Sequence, residues 1–204
     1  RLKPALEAVR REYPDVRISV DTYWSEVVEK AFDAIGDFIV NDISAGEDDP
    51  RMLSVVGRLG LAYVAMHKRG NPQTMQSLTD YDDVVGDITA YFEEFARRAA
   101  ENGVSRWILD PGFGFAKTVE QNYRLMAGLD ALKCSYGGFV PRILVGVSRK
   151  SMIYKTLGIS PDEALPATQA LHMAALMAGA DILRVHDVKE AAQAASMYKM
   201  LAFM

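Results

Sequence analysis

Short runs of apolar, often β-branched residues recur along the chain, separated by longer stretches with helical spacing. Six runs predict strands, at 18–20, 38–43, 62–66, 107–109, 143–147 and 182–185. Between them apolar residues recur at helical intervals, as in Tyr91, Phe92, Phe95 and Ala99, and the chain opens in a predicted helix. Strands that alternate with helices favour a parallel sheet, because parallel neighbours need long crossover connections.

Almost every predicted strand ends in a side chain that is capable of chemistry: Asp21, Asn41 with Asp42, His67, Asp110, Ser148 with Lys150, and Arg184 with His186. A closed barrel would bring all of them to one mouth, where βα barrels keep their active sites. An open doubly wound sheet would scatter the outer ones. We therefore predict an α/β fold of the TIM (β/α)8 barrel type with its first two βα units absent from this chain. The alternative is a complete six-unit fold with sheet edges.

Composition narrows the class of protein. With 204 residues, half of them apolar, the chain is long enough for a substantial core, and we expect one domain over residues 1–204. The net charge is −4 and no long basic run occurs, which disfavours a nucleic-acid partner. Cys134 is the only cysteine, so an internal disulfide is excluded and a cytoplasmic location is expected. No apolar run has membrane-spanning length.

The segment 110–115, Asp-Pro-Gly-Phe-Gly-Phe, predicts a sharply turning binding loop after the fourth strand. Its Gly-x-Gly fails as a dinucleotide fingerprint, because Lys117 stands where the third glycine belongs. Asp110 suits two parallel hydrogen bonds from the amine and ring N–H of a 2-amino-4-oxopyrimidine. The alternative is an aspartate that caps the turn through loop amides.

Two other strand ends carry amide and carboxylate groups. Asn41 has a donor and an acceptor together, so it can read a heterocycle edge. Asp42 is expected instead to cap residues 44–46, where the chain leaves the strand. Asp21 is a candidate for the same mouth, or for capping the helix that begins near Ser25.

The segment 146–151, Gly-Val-Ser-Arg-Lys-Ser, offers two hydroxyls and two cations directly after a strand. This composition suits anions or carbonyl oxygens, and a solvated basic loop is the alternative. Lys150 is alternatively a Schiff-base lysine of an aldolase, a role that requires a desolvated pocket and a lowered pKa.

Strand alternation places Arg184 and His186 on the same face of the predicted strand. Arg184 suits stacking over a flat aromatic ligand or a salt bridge to a barrel carboxylate, and His186 lies where such barrels often bind phosphate. Residues 67–70 predict a flexible loop with solvated charges, and His172 predicts a satisfied core histidine. No pattern has zinc spacing.

Taken in order, these segments resemble the pterin-binding family and most closely its dihydropteroate synthase branch. The matching pieces cover essentially the whole chain: 20–22, 39–43, 66–67, 70–76 (Gly-Asn-Pro-Gln-Thr-Met-Gln), 110–115, 146–151 and 184–187 (Arg-Val-His-Asp). The Ser-Arg-Lys-Ser loop and the Arg-Val-His-Asp strand end are together specific to that branch, whereas corrinoid methyltransferases share only the pterin pocket.

The resemblance implies a folate-pathway transferase that condenses 6-hydroxymethyl-7,8-dihydropterin pyrophosphate with 4-aminobenzoate and releases pyrophosphate. The residues that it implies at the pterin are Asp21, Asn41, Met66, Asp110, Phe115, Lys150 and Arg184. At the pyrophosphate it implies His186 with Arg184, and at the aminobenzoate, where sulfonamides bind in this family, Ser151 with the stem of Lys150. The catalytic role falls to Asp21, Asp110 and Lys150.

The resemblance also implies Mg²⁺ as cofactor and a homodimer. The family's first two strands, with their Asn-Val-Thr-Pro-Asp-Ser-Phe and Ser-Thr-Arg-Pro-Gly segments, do not occur in this sequence. Because the family's magnesium asparagine lies in the first of them, no metal ligand is expected within this chain. The open alternatives are a non-catalytic pterin-binding module, a relative of the corrinoid methyltransferases, and an aldolase-type barrel that uses Lys150.

Overall fold

The computed structural model describes residues 2–71 and 73–202. Pro72 and the side chain of Gln76, both in the matching piece 70–76, lie outside what is described. Contacts divide the chain into two compact units, one of residues 1–66 with 93–109 and one of residues 67–92 with 110–204. The single domain expected from the sequence stays a prediction.

All six predicted strands are present, with ends that differ from the prediction by at most two residues. Their bounds are β1 Ser19–Asp21, β2 Ile39–Asp42, β3 Ala62–Met66, β4 Trp107–Asp110, β5 Arg142–Val145 and β6 Ile182–Leu183. The predicted opening helix is also confirmed. The helices are α1 Leu2–Glu12, α2 Ser25–Ile35, α3 Met52–Leu59, α4 Val84–Glu101, α5 Val119–Ala127, α6 Ser151–Leu157, α7 Leu165–Met177 and α8 Val188–Ala202. Within the described ranges, no helix is long and apolar enough to cross a membrane.

The strands of the first unit lie side by side in chain order. β1 pairs parallel with β2, and β2 pairs parallel with β3. This consecutive order is that of a βα barrel, whereas a doubly wound sheet reverses its order at a switch point. Alternation buries Val20 and Val40 on one face and leaves Asp21 and Asn41 on the other. Asp21 and Asn41 therefore share a face of the sheet, opposite the buried Asp42.

A buried carboxylate fixes the turn that follows β2. Asp42 is fully buried, and its Oδ1 accepts hydrogen bonds from the backbone N–H and the hydroxyl of Ser44, both at 2.7 Å. Its Oδ2 accepts from the N–H of Gly46 at 2.9 Å and from the Tyr63 hydroxyl at 2.6 Å. The predicted capping role of Asp42 is thus confirmed, and four donors compensate the burial of its charge.

In the second unit β5 pairs parallel with β6, with Leu144 opposite Ile182 and Val145 opposite Leu183. Helix α5 begins with a capping box in which Thr118 and Gln121 satisfy each other's backbone N–H groups. Because this cap fixes where α5 begins, it also fixes the position at which the chain leaves the glycine-rich loop 110–115.

A lysine and a histidine are buried together beneath that loop. The ammonium of Lys117, which is 4% exposed, lies 3.0 Å from Nδ1 of His67 and donates to the carbonyls of Gly112 and Phe115 at 3.0 and 3.1 Å. Three acceptors match the three N–H groups of an ammonium. Burial lowers the pKa of Lys117 to about 7. Burial, followed by the charges of Lys117 and Arg69, lowers the pKa of His67 to about 2, so the imidazole is neutral and accepts.

Replacement of Asp42 by Asn should destabilise the protein by about 3 kcal/mol, because one acceptor oxygen becomes a donor that faces other donors in a buried site. The midpoint of urea unfolding measures this loss. Asp33→Asn on the exposed side of α2 removes the same charge and should change the free energy of unfolding by less than about 0.5 kcal/mol. Equal effects of the two variants would contradict the account of Asp42.

The buried imidazole of His67 predicts sensitivity to acid. Its ordinary pKa is 6.5 and its folded pKa is about 2, so below pH 6.5 the unfolded chain binds a proton that the folded protein excludes. Its contribution to stability is therefore complete above pH 6.5 and falls as the pH drops, by up to about 1.4 kcal/mol per pH unit. Denaturant titrations of the wild type and of His67→Gln between neutral and mildly acidic pH should show the shallower decline in the variant. Parallel declines would be evidence against a neutral His67.

Candidate functional site

Asp110, at the end of β4, is the most enclosed charged group of the second unit's strand ends, with 1% of its surface exposed. Its Oδ1 accepts a hydrogen bond from the N–H of Gly112 at 2.9 Å. Its backbone carbonyl accepts from the N–H of His67 at 3.0 Å. Gly112 approaches His67 so closely that a Cβ there would lie 2.0 Å from the His67 carbonyl oxygen, so glycine is required at this turn. The alternative interpretation of Asp110, in which its carboxylate caps the loop through a backbone amide, is therefore confirmed.

The second oxygen of Asp110 faces a guanidinium. Nη2 of Arg184 lies 2.8 Å from Oδ2 of Asp110, so the predicted salt bridge of Arg184 is also present. The guanidinium lies against the backbone of Gly146, where an added Cβ would stand 2.8 Å from Nη2. The glycine that begins the segment 146–151 thus makes room for Arg184.

Lys150 extends from the residue before α6 toward the same loop. Its ammonium donates a hydrogen bond to the carbonyl of Phe113 and lies 4.9 Å from the centre of the Phe115 ring, a cation–π distance. Burial lowers the pKa of Lys150 to about 8; the Asp110 charge opposes this shift and Arg184 adds to it. A lysine with this pKa is still mainly protonated at neutral pH. The structure therefore brings together Asp110, Phe115, Lys150 and Arg184.

The loop after β5 and the end of β6 are joined at Ser148 and His186. The backbone N–H of His186 donates to Oγ of Ser148 at 3.3 Å, and Nδ1 of the ring lies 3.1 Å from the same oxygen. Ser148 is 5% exposed, whereas the His186 side chain is exposed. His186 is consequently anchored on its Nδ1 side.

An ion pair also links the loop after β5 to the end of β6. Nε and Nη2 of Arg149 contact the two carboxylate oxygens of Asp187, each at 2.8 Å, a bidentate arrangement. Nη1 of Arg149 donates to the carbonyl of Asp162 at 2.9 Å. Arg149 has a left-handed backbone with φ of 52°, which is uncommon outside glycine. Hydrogen bonds from Arg149 lower the pKa of Asp187 and keep it charged. The loop is thus not the solvated basic loop of the alternative interpretation.

In the first unit, two predicted site residues contact each other. Asp21 and Asn41 are register partners on β1 and β2, and Nδ2 of Asn41 donates to Oδ1 of Asp21 at 3.2 Å. Asp21 does not cap α2 as the alternative proposed, because the N–H of Ser25 donates instead to Oδ2 of Asp49 at 2.7 Å. The roles of Asp21 and Asn41 at a ligand stay predictions.

The other two predicted site residues are differently placed. Met66, at the end of β3, is 1% exposed. Ser151 is the first residue of α6 and is half-buried, directly after Lys150. Their contacts with a ligand stay predictions.

Two expectations about histidines and charges need correction. The segment 67–70 is not a solvated charge cluster: His67 is 2% and Lys68 6% exposed, and Arg69 pairs with Asp87 at 2.9 Å. The aromatic ring of Tyr81, 3.7 Å from the Arg69 guanidinium carbon, completes this packing. His172 is buried as predicted but is not fully satisfied, because its Nε2 has no hydrogen-bond partner among the described residues.

Sequence reasoning missed several residues that support this region. In the sequence Lys117 stands out only as a misfit to a dinucleotide motif and Arg149 only as part of a polar loop, whereas Ser148 is predicted as a strand-end side chain but without its contact to His186. The available signal for Lys117 is a lysine that follows Phe115 and Ala116 directly after the glycine-rich loop. The pairing of Arg149 with Asp187 has no local signal, because the two residues are 38 positions apart.

The residues that the structure describes contain no group of three or more His, Cys, Asp or Glu side chains that could hold a metal ion. The donor set around Asp110 is dominated by cations, which disfavour a metal ion there.

Comparison with known proteins identifies the family. The family model described as pterin binding enzyme matches residues 1–186. Dihydropteroate synthase from Escherichia coli K12 is 40% identical over 196 residues, which cover 95% of this chain and 67% of the relative. The folic acid synthesis protein fol1 of Pneumocystis carinii is 42% identical over 207 residues, which cover 98% of this chain but only 27% of that protein.

Solved structures agree with this assignment. The crystal structure of dihydropteroate synthase from Thermus thermophilus in complex with 4-aminobenzoate superimposes with a TM-score of 0.88 at 38% identity, over 98% of this chain and 79% of that chain. This likeness confirms the predicted α/β barrel fold class. By family model, sequence identity and structure, the chain belongs to the pterin binding enzyme family.

Proposed function

We propose that this chain is part of a dihydropteroate synthase, which joins 6-hydroxymethyl-7,8-dihydropterin pyrophosphate to 4-aminobenzoate and releases pyrophosphate. The observation that carries the proposal is the buried Asp110 carboxylate, held among Arg184 and Lys150 at the glycine-rich loop. Relatives named dihydropteroate synthase, of which the chain spans about two thirds, support the same activity.

Recognition of the pterin begins at Asp110. A pterin presents an exocyclic amine and a ring N–H side by side, and a carboxylate accepts both at once. Oδ1 of Asp110 is oriented by the Gly112 N–H, and Oδ2 accepts no hydrogen bond of good geometry within the described residues, although Arg184 lies 2.8 Å away as an ion-pair partner. The carboxylate is therefore fixed in position and keeps accepting capacity for a ligand.

The cations supply the second half of the proposed site. Phe115 and the stem of Lys150 offer an apolar wall with a charge above it, which suits a flat aromatic ring. Arg184 and His186 are the groups proposed to receive the pyrophosphate. If the C–O bond to pyrophosphate breaks early, positive charge develops on the pterin methylene and the carboxylate of Asp110 stabilises it, while the cations stabilise the departing anion.

No protein nucleophile is needed in this mechanism. The amine nitrogen of 4-aminobenzoate forms the new C–N bond to the methylene in place of the broken C–O bond and then releases a proton to solvent, and Lys150 acts as a binding group. Ser151, next to Lys150 at the start of α6, is proposed to contact the aminobenzoate, and the structure of the Thermus thermophilus relative contains that molecule. Asp21 and Asn41 are proposed at the pterin edge on the strength of the resemblance.

Three further properties belong to the proposal through the resemblance: dependence on Mg²⁺, a homodimer and a cytoplasmic location. Among the described residues no group of three or more His, Cys, Asp or Glu side chains could hold the ion, and no step of the mechanism is derived through it. Cys134 as a free thiol is consistent with a reducing compartment.

A second candidate function rests on Lys150 itself. Its half-buried ammonium with a pKa of about 8 is the kind of lysine that aldolases use to form a Schiff base. Trapping with borohydride in the presence of carbonyl compounds separates the two functions, since an adduct at Lys150 supports the aldolase and a synthase forms none.

If the proposed activity is correct, the protein should convert its two substrates into products. Incubation of the protein with dihydropterin pyrophosphate, 4-aminobenzoate and Mg²⁺ should release pyrophosphate and form dihydropteroate, measured by a coupled pyrophosphate assay and by chromatography. Tight pterin binding without pyrophosphate release would identify a non-catalytic pterin-binding module instead. Absence of both binding and turnover would contradict the proposal.

Asp110→Asn should weaken pterin binding, because an acceptor becomes a donor that faces the donors of the pterin, a mismatch that costs on the order of 1 to 3 kcal/mol. Calorimetric titration of the wild type and variant with a pterin measures the change in Kd. Asp33→Asn is the charge-matched control and should bind as the wild type does. Unchanged affinity in a folded Asp110→Asn protein would remove Asp110 from the site.

A further inference from the structure

Within the part of the chain that the structure describes, the side-chain oxygen of Ser148 has hydrogen-bond partners only on His186. It accepts the backbone N–H of His186 at 3.3 Å and lies 3.1 Å from Nδ1 of the ring. Because Ser148 is 5% exposed, its hydroxyl has little access to solvent. The hydrogen-bonding capacity of this hydroxyl therefore has to be met by one residue.

The position of the protons follows from that geometry. A hydroxyl carries one donor and two acceptor lone pairs, and the backbone N–H of His186 already occupies one lone pair. If Nδ1 also donated, the Ser148 proton would have no acceptor among the described residues. If Nδ1 accepts, the single hydroxyl proton lies between Oγ and Nδ1, and every group in the contact is satisfied. The arrangement favours an unprotonated Nδ1 in the neutral imidazole.

A neutral imidazole with an unprotonated Nδ1 carries its proton on Nε2. The His186 side chain is exposed, and Nε2 has no hydrogen-bond partner among the residues described. The protonated nitrogen is thus on the open side of the ring, where a donor can reach an anionic oxygen.

We propose that Ser148 is a positioning residue whose hydroxyl donates to Nδ1 of His186, holds the ring as its Nε2–H tautomer and directs that N–H to the pyrophosphate of the substrate. The pyrophosphate part rests on the proposed function, whereas the proton position does not. The Arg149–Asp187 ion pair holds the two segments together independently, so loss of the Ser148 hydroxyl alone leaves the loop in place.

The test is nitrogen-15 NMR of the full chain at alkaline pH, where imidazole is neutral. The chain has three histidines, and the signals that disappear in His186→Gln are those of His186. In the wild type the proton should be on Nε2, and Nδ1 should show the shift of a hydrogen-bond acceptor. In Ser148→Ala the Nδ1 signal should move to that of a free imine, and Ser148→Thr should restore the wild-type signal.

Binding of inorganic pyrophosphate gives a second readout. Its affinity should fall about three- to tenfold in Ser148→Ala and recover in Ser148→Thr. The matched control is Ser196→Ala on α8, whose hydroxyl donates only to the carbonyl of Ala192, and it should bind as the wild type does.

A proton on Nδ1 in the wild type, or a Ser148→Ala protein with an unchanged Nδ1 signal, would overturn the inference. Failure of the wild type to bind pyrophosphate, with the predicted NMR signals, would overturn the anion role of His186 and leave the proton position established. The two failures are therefore distinguishable.

Discussion

The structure of the second unit depends on the carboxylate of Asp110, which is 1% exposed at the end of β4. A buried charge is tolerated only when it is paired and hydrogen-bonded, and here Arg184 supplies the pairing and the Gly112 amide supplies the hydrogen bond. Glycine is required at two positions next to these partners. At Gly112 the turn passes against the His67 carbonyl, and at Gly146 the Arg184 guanidinium occupies the space that a side chain would need. Both loops that supply partners near this carboxylate thus require a glycine.

The surrounding cations have distinct physical roles. Lys117 is enclosed and ties the glycine-rich loop to His67 through three acceptors, whereas Lys150 lies over Phe115 and Arg184 reaches the carboxylate itself. Burial lowers the pKa of both lysines, so their charges are held at a cost that Asp110 offsets in part. A site of this kind is organised before a ligand arrives, which suits stabilisation of charge that develops during a reaction.

The sequence predicted the elements well because each strand is a short apolar run that ends in a polar residue. It also predicted that Asp42 caps a turn, since the signal Asp-Ile-Ser-Ala-Gly is local. It failed for His67, whose burial depends on Lys117, 50 residues away, and no local pattern encodes such a partner. For Asp110 and Arg184 the sequence leaves a ligand contact and a salt bridge as alternatives; the structure shows the salt bridge, and the ligand contact stays a proposal. A carboxylate can pair with a cation and still accept from a ligand.

The most direct test of this account compares the affinities of the wild-type protein for pterin and for lumazine, in which a carbonyl replaces the 2-amino group. A carboxylate that accepts from the amine and the adjacent ring N–H should bind pterin at least about tenfold more tightly, because lumazine turns an acceptor toward an acceptor. Equal affinity for the two heterocycles would contradict recognition by a fixed acceptor at Asp110.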